Sequence, residues 1–194
     1  MVEPNILLAS GSPRRAELLT RIGIKHRVFV PDIDESIRLG ETIEEYVVRL
    51  AREKADAGVR TADPGTTVIA ADTAVVIHGT WLGKPENRDE AKRMLRMLSG
   101  NTHEVWTGVS IAIVGGERID FHDISRVTFV EMDDVEIDKY VETGEPLDKA
   151  GAYGVQAMGA RYVQRIEGCF FNVMGLPIAK VYAGIKKLGA LKRP

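Results

Sequence analysis

The sequence predicts an α/β fold. Strand-like and helix-like patterns alternate from end to end, and no repeat, low-complexity run or Pro/Gly/Ser linker interrupts them. With 194 residues, 44% of them hydrophobic, the chain can bury one sizeable core or two intimately joined lobes. Residues 1–194 are therefore expected to form a single domain.

Composition narrows the partners. The net charge is −2 with acids and bases interspersed, so no basic stripe points to nucleic acid and no polybasic run to anionic membranes. No stretch approaches the roughly 18 uninterrupted apolar residues of a membrane span, and the N-terminus carries no cleavable hydrophobic segment. A cytoplasmic protein with a small-molecule partner is expected. The single cysteine, Cys169, excludes an internal disulfide, and its Gly168-Cys169-Phe170-Phe171 setting reads as an inert buried strand.

The first element is an apolar strand, Ile6-Leu7-Leu8-Ala9, which runs through the Ser10-Gly11 turn into a helix. Ser12 suits the N-cap and Pro13 the first helical position, with the end near Gly23. Arg14 and Arg15 then occupy the second and third positions, where the helix dipole favours anions instead. A phosphate chain gripped by free N–H groups, serine hydroxyls and guanidinium forks would explain them. A capped surface helix with two solvated arginines fits the same residues equally well.

Arg27 to Ile33 reads as a short strand leading into the acidic loop Asp32-Ile33-Asp34-Glu35. Thr42 and Glu45 form a capping box for a helix ending at Gly58, with Glu45, Arg49 and Glu53 as an outward ladder. Tyr46, Val47, Leu50 and Ala51 make its apolar stripe, and Lys54 falls on that stripe. An inward lysine needs a partner. Thr66 to Ile77 is β-rich and contains a single charge, Asp72; the turn His78-Gly79-Thr80 and Trp81-Leu82-Gly83-Lys84-Pro85 follow. A helix is predicted from Asp89 to Leu98 with Met94 and Met97 as core filler, then a long antiparallel hairpin of His103–Val114 and Ile119–Val130.

Asp133 and Glu136 form a second capping box, with Met132 and Ile137 as its hydrophobic staple, so this acidic run reads as a helix start and not as a metal site. The helix ends near Gly144. Leu147 to Gln156 is glycine-rich and irregular, a candidate binding loop. Two short strands, Tyr162–Ile166 and Cys169–Val173, and a helix from Pro177 to Gly189 complete the chain.

Asp72 is the sharpest candidate, because a carboxylate inside an uncharged β-rich run is costly unless paired, metal-bound or facing a cleft. Glu35 can supply a second oxygen for Mg²⁺, which takes one or two carboxylates plus phosphate oxygens and water, although its loop can equally be solvated. Lys54 and Lys84 can meet phosphates or snorkel to water. The four histidines show no metal-site spacing, and no Walker, G-x-S-x-G or G-x-G-x-x-G motif is present. Together the carboxylates and cations suit Mg²⁺ with a nucleoside triphosphate.

Leu8-Ala9-Ser10-Gly11-Ser12-Pro13-Arg14-Arg15, Ala71-Asp72-Thr73, Gly83-Lys84-Pro85, Leu98-Ser99-Gly100 and Asp148-Lys149-Ala150-Gly151-Ala152-Tyr153-Gly154-Val155-Gln156 resemble the Maf family in order and spacing. The resemblance spans residues 6 to about 180. It implies nucleoside triphosphate pyrophosphatase activity. It also implies a two-lobed mixed twisted sheet flanked by helices, like that of the inosine triphosphate pyrophosphatases, with a central nucleotide cleft. By position, Asp72 matches the proposed general base and, with Glu35, the ligands of a divalent cation, Mg²⁺ or Mn²⁺. Arg14, Thr73 and Gln156 match base-selecting positions, and Ser10, Ser12, Arg15, Lys54 and Lys84 join them at the site. The combination looks like the branch acting on dTTP and UTP, and by extension modified pyrimidine nucleotides, rather than the 7-methyl-GTP branch. Trp106 and Met158-Gly159-Ala160 lie near the motif blocks, where they can tune base preference. The family's older description as septum-formation inhibitors leaves one alternative, a nucleotide-binding regulator of cell division without essential hydrolysis. Its members are often homodimers.

Overall fold

The computed structural model describes residues 5–190. The chain order is β1 (Ile6–Ala9), α1 (Pro13–Arg21), β2 (Arg27–Phe29), α2 (Ile43–Val59), β3 (Thr67–Ile77), β4 (Thr80–Leu82), α3 (Arg88–Leu98), β5 (Thr102–Ile113), β6 (Arg118–Phe129) and α4 (Asp134–Glu142). The 3₁₀ turns Glu145–Asp148, Ala150–Ala152 and Met158–Tyr162 follow, then β7 (Val163–Glu167), α5 (Phe170–Val173) and α6 (Ile178–Lys187). Among the described residues these strands form one seven-stranded sheet, ordered β2-β1-β3-β5-β6-β7 with β4 on β3. It is mixed: β1 runs parallel to β2 and β3, whereas β4 is antiparallel to β3 and β7 to β6. The expected α/β class is thus present. No described helix is long and apolar enough to cross a membrane.

The described residues form two compact units, the first from 5–72, 107–123 and 175–190, the second from Thr73–Trp106 and Ile124–Met174. In the first, all four residues of β1 are buried, as expected of a parallel strand covered on both faces. Helix α2 packs on β1 through small residues. α2 ends at Val59, one residue beyond the expected Gly58, and Gly58 also serves packing: a Cβ there would approach Val68 Cγ1 to 2.8 Å and Ala9 Cβ to 3.2 Å. Gly108 is more tightly constrained, since a Cβ would fall 2.1 Å from the Val47 carbonyl oxygen.

In the second unit α3 and α4 pack together, bridged by Arg96–Asp134 and Lys92–Asp138, each at 2.7 Å. Both expected capping boxes form, at Thr42/Glu45 and Asp133/Glu136.

Three local expectations are corrected. Strand β2 stops at Phe29 instead of Ile33, because its partner β1 ends at Ala9, the residue paired with Phe29. Ser12 is the N-cap of α1 by position, but its side chain makes no capping bond. Residues 169–173 are not a strand. Gly168 takes φ 112° and turns the chain into α5, leaving Cys169 half-buried and Phe170 and Phe171 exposed. Buried Asn172 donates to the Val105 carbonyl (3.0 Å) and Ser125 Oγ (3.1 Å), anchoring that turn.

Candidate active site

Asp72 sits within β3, 7% exposed, between Ala71 and Thr73. Its partner is the lysine predicted to face inward. Lys54, on the buried face of α2, places Nζ 2.6 Å from Asp72 Oδ1 and 2.6 Å from Glu35 Oε1. One ammonium therefore bridges a buried and a half-exposed carboxylate, in the first unit. The acidic loop contributes Glu35 to this cluster, whereas the Asp34 carboxylate caps its own loop by accepting from the Ser36 N–H at 2.9 Å.

Arg15 and Ser10 lie at the start of α1, as the strand–turn–helix pattern requires. Arg15 is 8% exposed and donates from Nη1 to the Ala71 carbonyl (2.7 Å) and Ser10 Oγ (3.1 Å), and from Nε to the Gly175 carbonyl (2.8 Å). Burial lowers its pKa, and the nearby Asp72 charge opposes that shift. Ser10 Oγ also accepts from the Ser12 N–H at 3.2 Å. Arg15 thus ties the turn at Ser10 to the backbone of the residue preceding Asp72. Arg14, next to it on α1, is half-buried.

Two residues that the sequence places in other roles fasten the loop that carries Glu35. Tyr46 donates its hydroxyl to the Glu35 carbonyl at 3.1 Å. Burial, then the Asp72 and Glu35 charges, push this phenol up to about 12, so it remains a donor. Its spacing from Lys54, two helical repeats along one face of α2, was the available signal, but an apolar-stripe reading absorbs any tyrosine. Arg49 makes the expected rung with Glu53 at 3.3 Å but is largely buried. Its side chain is 12% exposed, pairs bidentately with Glu41 at 2.5 and 2.8 Å, and donates to the Ser36 carbonyl at 3.0 Å.

The remaining sequence candidates belong to the second unit. Thr73 is half-buried and follows Asp72 along β3. Lys84 is exposed in the turn after β4, where the Gly83 carbonyl accepts from the Gly151 N–H at 3.0 Å, joining the Gly-Lys-Pro turn to the glycine-rich stretch. Gly151 needs its φ of 69° there, and a Cβ would meet Val75 at 3.0 Å. Gln156 is exposed, between the 3₁₀ turns Ala150–Ala152 and Met158–Tyr162.

Among solved structures, the Ham1 protein of Staphylococcus aureus matches with a TM-score of 0.50 over 94% of this chain and 98% of that one, at 14% identity, a likeness of fold alone. At the level of sequence, the dTTP/UTP pyrophosphatase of Anaeromyxobacter dehalogenans (strain 2CP-C) is 48% identical over 189 residues, covering 96% of this chain and 95% of that protein. The dTTP/UTP pyrophosphatase of Salmonella typhimurium (strain LT2) is 46% identical over 187 residues, 96% of this chain and 94% of that protein. The Maf-like protein family pattern matches residues 5–188. With relatives this similar over nearly their whole length, and the family pattern spanning both units, the chain belongs to the Maf family.

Proposed function

We propose that this protein is a nucleoside triphosphate pyrophosphatase that hydrolyses dTTP and UTP, and by extension modified pyrimidine nucleotides, to the monophosphate and pyrophosphate. The observation that carries the reading is the buried Asp72 held on Lys54 beside Glu35. The names of relatives up to 48% identical support the substrate. In this reading a water oxygen bonds to the α-phosphorus, the bond from that phosphorus to the bridging oxygen breaks, and pyrophosphate leaves. Asp72 takes the water's proton, and Lys54 keeps the carboxylate aimed.

Among the described residues no group of three or more His, Cys, Asp or Glu side chains could hold a metal. The donor chemistry nevertheless fits Mg²⁺ or Mn²⁺. Asp72 and Glu35 offer hard oxygens converging on one cationic group, and such ions are completed by substrate oxygens and water. Those two residues would hold the ion, which supplies charge neutralisation on the phosphates. Arg14 and Lys84 offset triphosphate charge, as fork and point charge respectively. Arg15 adds charge from behind and holds Ser10, whose hydroxyl, with that of Ser12, serves the phosphates. Thr73 and Gln156 read the base edge, where a polar group left unpaired by a wrong base costs about 1–3 kcal/mol. A cytoplasmic location and a homodimeric state belong to the same proposal and rest on the family resemblance.

The test is pyrophosphate release from dTTP, UTP, CTP and 7-methyl-GTP with Mg²⁺. Release is expected from dTTP and UTP, with little from 7-methyl-GTP. No release from any of the four would overturn the reading in favour of a nucleotide-binding regulator.

A further inference from the structure

The loop that carries Gln156 is fastened on both sides by one pair of side chains. Tyr140, on the buried face of α4, donates its hydroxyl to Glu145 Oε1 at 2.7 Å and accepts at the same oxygen from the Gly154 N–H at 3.1 Å. The Glu145 carboxylate then accepts from the Met158 N–H at Oε2 (3.0 Å) and from the Gly159 N–H at Oε1 (3.2 Å). Residues 154 and 158–159 thus converge on a single phenol–carboxylate unit, with Gln156 midway between them.

The backbone packs closely on the pair at both glycines. A Cβ at Gly159 would fall 2.5 Å from the Tyr140 hydroxyl and 2.8 Å from the Gly154 carbonyl oxygen. One at Gly154 would meet Glu145 Oε1 and Lys149 Cε at 3.0 Å. Glycine at both positions lets the backbone lie directly on the pair. Burial first, and then the bond to Glu145, raise the pKa of Tyr140, so its proton stays in place as the link. Lys149 fixes Glu145 from the other side by donating to its carbonyl at 2.6 Å.

We propose that Glu145, with Tyr140, is a specificity-determining positioning residue: it fixes the 154–159 loop so that the Gln156 carboxamide reaches the base edge from one place. The proposal rests on the dTTP/UTP reading above. Its logic is chemical. Thymine and uracil offer an N–H donor beside a carbonyl acceptor, whereas cytosine offers an acceptor beside an amino donor. A carboxamide carries one group of each kind, and turning it over matches it to either base. That turn is about the side chain's own Cγ–Cδ bond, so the held loop sets where the carboxamide stands: fixed in place it reaches the edge atoms of thymine and uracil, whereas a slack loop lets it shift until the turned group pairs with cytosine, and Glu145 and Tyr140 are what hold the loop. The pair touches no substrate in this scheme; it acts through Gln156.

The experiment compares kcat/KM for dTTP with kcat/KM for CTP in the wild type, Gln156→Ala, Glu145→Ala and Tyr140→Phe, with thermal unfolding measured on each. The dTTP preference is expected to fall about tenfold in Gln156→Ala, the equivalent of one base-edge hydrogen bond. It should fall by a similar factor in Glu145→Ala and Tyr140→Phe, mainly through KM for dTTP. Equal losses on dTTP and CTP, with the preference intact, would show a purely structural role and overturn the proposal. If Glu145→Ala fails to fold, Tyr140→Phe, which removes one oxygen atom, decides. A wild type inactive on both nucleotides, or a Gln156→Ala variant with unchanged preference, would overturn the underlying reading itself, and the role of Glu145 with it.

Discussion

The ammonium of Lys54 lies 2.6 Å from Oδ1 of Asp72, and both side chains are nine-tenths buried. Such a pair contributes little net stability, because desolvating two charges offsets most of their attraction. Its chemical use is the better explanation. Asp72→Asn keeps the shape and an oxygen for Lys54 but removes the proton acceptor. Turnover of dTTP should fall by roughly 10²–10⁴-fold, the usual worth of a general base. A non-hydrolysable dTTP analogue should still bind in calorimetry, and the unfolding temperature should change little. Turnover like that of the wild type would remove Asp72 from its role.

Removing the other partner has a different consequence. Lys54→Met leaves the Asp72 and Glu35 carboxylates facing each other without their shared cation. Destabilisation of about 3 kcal/mol is expected, the lower end for an orphaned buried charge, because Glu35 can turn to water. A divalent cation should repair part of this loss. Mg²⁺ should raise the unfolding temperature of Lys54→Met more than that of the wild type, and chelation should reverse the gain. An equal response in the two proteins would argue against these carboxylates as the ion's ligands.

These two residues were legible in the sequence because each violates a local pattern: Lys54 interrupts an apolar stripe, and Asp72 an uncharged strand. The alternation of elements likewise announced the α/β class, and both capping boxes stood at the expected positions. Tyr46, Arg49 and Glu145 were not legible, because they obey local patterns while acting elsewhere. Tyr46 suits an apolar face, Arg49 suits a charged ladder, and Glu145 looks like any polar residue before a proline. Their partners are set by how loops fold back, which periodicity does not encode. Residues 169–173 failed for another reason: a short run with two phenylalanines suits a strand or a helical turn, and the Asn172 anchor to Val105 and Ser125 decides it.

Arg49 provides a test of how Glu35 is held. The guanidinium joins Glu41 to the Ser36 carbonyl, beside Glu35, and the Glu41 side chain is only 7% exposed. Arg49→Met removes these bonds and leaves the Glu41 carboxylate without its fork. A loss of about 1–3 kcal/mol in stability is expected, the usual worth of hydrogen bonds to a charged group, with the Arg38 N–H left as a partner of Glu41. Turnover should fall further than heat inactivation explains, because the loop bearing Glu35 loosens. Tyr46→Phe, which removes the bond to the Glu35 carbonyl, should give a smaller loss in the same direction. Normal kcat in Arg49→Met at a temperature where it remains folded would show that the loop needs no such fastening.

In the second unit, His103 should make stability depend on pH. It is 1% exposed, its Nε2 is hydrogen-bonded to the Tyr153 hydroxyl at 2.9 Å, and the rings of Phe129 and Tyr153 stand edge-on at 5.1 and 5.3 Å. Its Nδ1 is buried without a hydrogen-bond partner. Burial pushes the imidazole down to about 4 from its ordinary 6.5. Between those values the unfolded chain binds a proton that the native protein does not. Stability contributed by neutral His103 is therefore fully present above about pH 6.5 and is lost progressively as the pH falls towards 4, by an amount on the order of 3 kcal/mol. His103→Gln retains a hydrogen-bonding group for Tyr153 and does not titrate. Urea unfolding at pH 7.5 and pH 5 should show a variant less stable than the wild type at the higher pH but with a flatter decline between the two. An equally steep decline in His103→Gln would place the acid sensitivity on other groups.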